Sequence, residues 1–226
     1  MSKQKFVDAI LMPKKGNIAI IAEIKFASPT EPNLGMRENL VKRAKEYEQA
    51  GADAISLIAE KNIFKGDMAD VAKVKKHVPL PILVKDFVID EHQIYETKKA
   101  GADAILLIAK LVDRETLAEF VTKAQAIGLE PVVEINNEAD LEKTVGVNAE
   151  IIAVNARNLD TLVVDVDEAC KLLMKVPDKF IKLGFSGVNG RSDVNKYKKA
   201  GAKGVLVGTA LMKAQNIKEF IGGLRE

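Results

Sequence analysis

The segment AGADAISLIA at residues 50–59 returns as AGADAILLIAK at 100–110, and a shorter echo, AGAKGVLVG, begins at 200. In each copy a glycine stops a helical segment and an apolar run of strand type follows, so the chain is built from recurring helix-to-strand units. Eight apolar runs of this kind can be counted: IAIIAEIK (18–25), AISLIA (54–59), PILVKDF (81–87), AILLIAK (104–110), PVVEI (131–135), IIAVNAR (151–157), FIKLGFSG (180–187) and GVLVG (204–208). Between them lie segments of helical spacing, including ENLVKRAKEYEQAG, DEHQIYETKKAG, DRETLAEFVTKAQAIG and SDVNKYKKAG. Several open on Asp or Ser, candidate N-caps, and close on Gly.

Strict alternation implies parallel strands joined by right-handed crossovers, and near-continuous apolar strands imply a sheet covered on both faces. Eight units favour a closed (β/α)8 TIM barrel, an α/β fold, over an open doubly wound sheet. No Gly- or Pro-rich linker divides the chain, so one barrel domain is expected over residues 1–226. The first dozen residues read as a short helix before strand one, either a plug for the barrel floor or a flap near the site.

Composition excludes several classes of partner. The 226 residues carry 34 basic and 32 acidic side chains, a formal charge of +2 without long blocks of one sign, which argues against nucleic acid or an anionic membrane. No apolar run is long enough to span a bilayer, and the N-terminus lacks the features of a secretory signal, so a cytoplasmic location is expected. The single cysteine, Cys170, sits in DEACKLL on what reads as a helix's apolar face, a packed thiol rather than a nucleophile. His77 and His92 have no ligand partner at metal spacing, so no metal site is expected. Met36, Met68, Met174 and Met212 read as core or loop filler, and the Lys-rich stretches 42–45, 73–76 and 196–199 as solvated helix faces.

In such barrels chemistry sits at the C-terminal ends of the strands. Strand one ends in Glu23 and Lys25, two apart and on one face; strand three carries Lys85, strand five Glu134, strand six Asn155 and Arg157, strand seven Ser186. A wet barrel mouth accounts for any one of these, but not for five strands each placing such a group at the same rim. Lys85 is the most demanding, because desolvating an ammonium within an apolar strand costs several kcal/mol unless it is paired or functional. Small residues after strands seven and eight, in FSG (185–187) and VGT (207–209), suggest a phosphate site built from Ser186, Gly187, Gly208 and Thr209.

The segments IAEIKFASPT, ISLIAEKNIFKGD, ILVKDFVIDEHQIYE, AGADAILLIAKLV, GLEPVVEIN, VNARNLDTL and VGTALM, taken in order, resemble the indole-3-glycerol-phosphate synthase family over almost the whole chain. The resemblance implies a ring closure without metal or organic cofactor. In that reaction 1-(o-carboxyphenylamino)-1-deoxyribulose 5-phosphate, a small phosphorylated substrate, loses carbon dioxide and water to give indole-3-glycerol phosphate. It further implies that Lys85 is the general acid, its pKa drawn towards working pH by apolar surroundings and a nearby cation. Lys25 would hold a substrate anion and orient the reacting carbons, and Glu134 would be the general base. Glu23 and Asn155 would hydrogen-bond substrate hydroxyls. Ser28, Glu60, Phe87 and Arg157 are further substrate-binding candidates; Arg157 could equally pair with a rim carboxylate. Asp86, of opposite strand parity to Lys85, would point away from the lumen and be structural. ASPTEPNLGM (27–36) is expected to be a mobile loop that gates turnover.

Two departures stand out. Where the family usually has Glu-Ser-Gly, this chain has Phe185-Ser186-Gly187, so Phe185 would enter the lumen and replace a charged substrate contact with apolar bulk. The family's longer N-terminal extension is also reduced to about a dozen residues, which implies a more open site. Two other readings stay open: a different, natural or redesigned barrel enzyme in which Lys85 forms a Schiff base, and a non-catalytic sugar-phosphate-binding barrel. A monomer or weak homo-oligomer is expected.

Overall fold

The computed structural model describes residues 5–225. Eight parallel strands, β1 (Ala19–Ile24), β2 (Ala54–Ile58), β3 (Ile82–Lys85), β4 (Ala104–Ile108), β5 (Glu130–Ile135), β6 (Ile151–Asn155), β7 (Ile181–Phe185) and β8 (Gly204–Val207), close into a barrel in chain order. Each falls within one of the apolar runs apart from Glu130, which precedes PVVEI. Every strand is buried over nearly its whole length, as expected for a sheet covered on both faces.

The crossovers are made by α2 (Leu40–Ala50), α3 (Met68–Lys75), α4 (Glu91–Lys99), α5 (Arg114–Ala126), α6 (Glu138–Val145), α7 (Val166–Lys175) and α8 (Arg191–Lys199). Two more helices, α9 (Thr209–Lys213) and α10 (Ile217–Gly223), follow β8. Asp90 caps α4 in a full capping box with Gln93, and Asp113 caps α5 through the Thr116 N–H. Ser192 does not cap its helix. α8 begins one residue earlier at Arg191, after Gly190, and Ser192 lies in the first turn.

The repeated AGAD sequence has a structural cause. Gly51 and Gly101 adopt φ of 93° and 91°, a left-handed conformation that ends α2 and α4 without a Cβ clash. The aspartate two residues on then binds the floor of the preceding strand: Asp53 Oδ2 accepts from Ile20 N at 2.8 Å, and Asp103 Oδ2 from Ile82 N at 2.9 Å. Asp53 also receives Arg225 Nη2 at 2.7 Å, which ties the chain's C-terminal end to the barrel floor. In the third copy Lys203 replaces the aspartate, and the backbone bonds from Lys203 N to Lys182 O and from Ala19 N to Lys203 O remain.

The N-terminal segment is a plug, not a flap. In α1 (Lys5–Leu11) Phe6, Val7 and Ile10 are buried and join a cluster with Ala19, Ile21, Ala54, Ala104, Ile151 and Ile181 at the N-terminal ends of the strands. Glu130 fixes the plug by accepting the free N–H groups of Phe6 (3.2 Å) and Val7 (2.6 Å) at the helix start. Residues 1–4 lie outside the described residues.

The strand register sets what faces the cavity above. Following the pairings around the barrel, with a one-residue advance at each strand, returns to the starting residue and puts side chains from alternate strands at one level. The uppermost closed level from the odd strands is Glu23, Lys85, Glu134 and Phe185. Beneath it, Ser56, Leu106, Ala153 and Leu206 form a level from the even strands, and Ile21, Leu83, Val132 and Leu183 the next from the odd. The lumen is therefore a packed apolar column roofed by one largely ionisable layer.

Candidate active site

Above that roof lies a cavity of about 540 Å³ at the C-terminal face. Its polar wall includes Glu23, Lys25, Ser28, Lys85, Glu134, Asn155, Arg157 and Ser186; Ile58, Leu106, Ile108, Phe64, Phe87 and Leu159 are among its apolar residues. A cavity with convergent polar groups on apolar walls suits a small molecule with an apolar ring and charged ends.

Glu23 organises the charges. Its Oε1 lies 2.7 Å from Lys25 Nζ and its Oε2 3.4 Å from Lys85 Nζ. Burial pushes the Glu23 carboxyl up, but the two ammonium groups override it and hold the pKa down to about 2. Lys85 Nζ is 4.0 Å from Glu134 Oε2 on its other side. The Lys85 ammonium is thus approached by carboxylates, not by the cation expected with its general-acid role, because Lys25 is taken up by the far oxygen of Glu23.

Glu134 differs from Glu23 although both are buried. Its Oε1 accepts from Asn155 Nδ2 at 2.9 Å, while Oε2 is buried without a hydrogen-bond partner among the described residues. Burial dominates and pushes its carboxyl above the ordinary glutamate range, with Lys85 and Asn155 opposing. One layer therefore holds a carboxylate kept ionised by two ammonium groups and another that burial makes a stronger proton acceptor than an ordinary glutamate. Asn155 Oδ1 accepts from Arg157 N at 3.0 Å, and Asn136 Nδ2 donates to both Asn155 O and Arg157 O, which fixes the end of β6.

Several expected contributors are placed differently. Glu60 turns into its own loop, where its carboxylate accepts from the N–H groups of Asn62, Ile63 and Phe64 at 2.8–2.9 Å, and it is not on the cavity wall. Phe185 enters the lumen as expected, but it is fully buried and is not among the residues of the cavity wall. Arg157 pairs with no rim carboxylate; its Nη1 donates to Leu162 O at 2.9 Å, closing the loop after β6. Asp86 lies on the cavity wall, not away from it, because β3 ends at Lys85 and strand parity stops there.

The four phosphate candidates also divide. Ser186 lines the cavity with φ of 67°, followed by Gly187 at 74°. Tyr197 Oη donates to the carbonyls of Phe185 and Ser186 at 3.0 Å, which anchors this turn. Gly187, Gly208 and Thr209 are not wall residues. Gly208 has another evident reason to be glycine: a Cβ there would stand 2.3 Å from Glu23 Oε1 and 3.0 Å from Lys25 Nζ, displacing the ion pair.

Beyond the expected set, Lys110 and Asp160 form an ion pair across the mouth, and the rings of Phe64 and Phe87 meet at 6.4 Å on its rim. Lys110 closes the AILLIAK run, so its position was visible in the sequence; its partner 50 residues away was not. The segment 27–36 is tied down: Ser28 bridges Glu31, Lys65 Nζ donates to Pro32 O at 3.0 Å, and Glu31 pairs with Lys213 at 2.6 Å.

Cys170 is packed in the core, and burial pushes its thiol up. His92 Nε2 does have a carboxylate neighbour, Glu96, one helical turn on at 3.6 Å. No group of three or more His, Cys, Asp or Glu among the described residues is arranged to hold a metal ion. Nor is any described helix long and apolar enough to cross a membrane.

The closed parallel barrel and its lysine–carboxylate layer define a (β/α)8 barrel enzyme. A family model described as indole-3-glycerol phosphate synthase matches residues 1–224, and the chain belongs to the indole-3-glycerol phosphate synthase family. It is 42% identical over 213 residues to the indole-3-glycerol phosphate synthase of Caldanaerobacter subterraneus subsp. tengcongensis, covering 93% of this chain and 83% of that one. To the protein of the same name from Acetivibrio thermocellus it is 40% identical over 210 residues, 93% of this chain and 81% of that relative. Among solved structures, the crystal structure of a 3-hexulose-6-phosphate synthase superposes with a TM-score of 0.73, covering 92% of this chain and 98% of the other at 18% identity, a likeness of fold alone.

Proposed function

We propose that this chain closes the indole ring of 1-(o-carboxyphenylamino)-1-deoxyribulose 5-phosphate, releasing carbon dioxide and water and forming indole-3-glycerol phosphate. The observation that carries the reading is Lys85 Nζ held between Glu23 and Glu134 at the base of a 540 Å³ cavity, in a chain of this family. Lys25, Lys85 and Arg157 on the wall suit a substrate with a carboxylate at one end and a phosphate at the other. The phenyl ring fits against Phe87, Ile108 and Leu159.

In this reading the ring carbon that bears the carboxylate attacks the ketose carbonyl carbon, and Lys85 protonates the carbonyl oxygen as the carbon–carbon bond forms. The carboxylate departs as carbon dioxide, and its bonding electrons restore the aromatic ring. The new hydroxyl then takes up a second proton and leaves as water. Glu134 accepts the proton released from the carbon next to nitrogen, which its free Oε2 and raised pKa suit it to do. Lys25, held by Glu23, grips a substrate anion and limits the approach of the reacting carbons to a productive geometry. Ser186 and Gly187 receive the phosphate, with Gly208 and Thr209 behind them, and Ser28 contributes from the loop over the cavity.

Mixing the purified protein with the carboxyphenylamino-deoxyribulose phosphate tests the assignment through indole fluorescence. A rise establishes the ring closure. Silence with the intact chain, at a substrate concentration where binding is detected, removes it in favour of a barrel that only binds. We read the chain further as a cytoplasmic protein, monomeric or weakly homo-oligomeric, which size-exclusion chromatography with light scattering would check.

A further inference from the structure

Three of the four side chains in the layer that roofs the lumen are ionisable, and the fourth is Phe185. The ring is fully buried and lies off the cavity wall. Its backbone is fixed: Phe185 O accepts from Ala156 N at 2.9 Å and from Tyr197 Oη at 3.0 Å, and the left-handed turn of Ser186 follows at once. Lys85 Nζ stands 5.1 Å from the ring centroid, within cation–π range.

The other contacts of Lys85 are loose. A close charge-assisted bond has N to O near 2.8 Å, and Glu23 makes one of 2.7 Å, but to Lys25. Lys85 has only the longer approaches of 3.4 Å to Glu23 and 4.0 Å to Glu134. No tight ion pair fixes its ammonium on the lumen side. A π face attracts a cation without engaging an N–H in a conventional hydrogen bond, so a proton stays available to the cavity. A carboxylate in the same position would compete for it.

We propose that Phe185 is a positioning residue for Lys85, its ring face completing a three-sided cradle with Glu23 and Glu134 that holds the ammonium towards the substrate carbonyl. This rests on the acid role given to Lys85 above, and it assigns the strand-seven phenylalanine a part in turnover from a position off the cavity wall.

The test replaces Phe185 by 4-fluoro-, 3,5-difluoro- and 3,4,5-trifluorophenylalanine at that position alone, alongside Phe185→Leu. Fluorination drains the ring face while almost preserving shape, so the series folds even if the leucine variant does not. The expected result is a stepwise fall in kcat along the series, reaching about threefold to thirtyfold at three fluorines, with KM unchanged. A flat kcat across the series overturns the proposal, as does a fall confined to KM. A second readout does not depend on turnover: the Lys85 methylene protons, identified by their loss in Lys85→Arg, should show an upfield ring-current displacement in the NMR spectrum. If the unaltered chain makes no indole, the reading of the reaction fails, and these protons decide the positioning alone. Displacement upholds the cradle, and its absence overturns it.

Discussion

Glu23 binds both lysines of the site at once, with Oε1 at 2.7 Å from Lys25 Nζ and Oε2 at 3.4 Å from Lys85 Nζ. It is the link between the group proposed to orient substrate and the group proposed to protonate it.

The first prediction follows from its titration. Its folded pKa of about 2 lies below the ordinary 4.5, so the stabilisation it supplies is fully present above pH 4.5 and is lost as pH falls towards 2. The difference corresponds to about 3 kcal/mol. Glu23→Gln should therefore lower the urea midpoint at pH 7, and the gap to the parent should shrink to roughly half by pH 3 and go on closing towards pH 2. It should also cut kcat/KM, because both lysines lose their anchor. An equal gap at both pH values would show that the ion pairs are not what Glu23 contributes.

Glu134→Gln is expected to separate activity from stability. The parent carboxyl has its pKa raised by burial, so ionising it in the folded state weakens the fold as pH rises above 4.5. Glutamine removes that cost and keeps an oxygen for Asn155 Nδ2. At pH 8 the variant should unfold at higher urea than the parent, while turnover drops about 10²- to 10⁴-fold through loss of the base. Retained turnover would remove Glu134 from the mechanism.

Glu60 is expected to act on its loop, not on substrate. Glu60→Ala leaves three N–H groups without their acceptor and should cost about 1–2 kcal/mol. Limited proteolysis should open the segment 61–66 while kcat and KM stay near those of the parent. A raised KM with an unchanged cleavage pattern would instead put the carboxylate on substrate.

The plug should matter to folding alone. Phe6 is fully buried at the barrel floor, far from the roof layer, and Phe6→Ala should destabilise by about 3–5 kcal/mol, read as a shift in the denaturation midpoint. In the folded fraction kcat/KM should match the parent. A loss of turnover there would show that floor and roof are coupled through the lumen.

Much of this architecture was legible in the residues. An apolar run with glycine before it and a helical segment after it is a local pattern, and eight of them specify a barrel before any contact is known. Strand parity is equally local, and it put Glu23, Lys85, Glu134, Asn155 and Phe185 in the lumen because successive side chains must point to opposite faces. Parity failed at Asp86, one residue past the end of its strand. It was also silent on Glu60, whose carboxylate is claimed by its own loop. The sequence by itself determined the strands, their order and which residues face inward, since those follow from short-range chain geometry. The stagger between neighbouring strands involves residues up to 185 apart, as in β1 against β8. Only that closure decided that Glu23, Lys85, Glu134 and Phe185 share one level, that Glu23 serves two lysines, and that a phenylalanine lies beneath the ammonium.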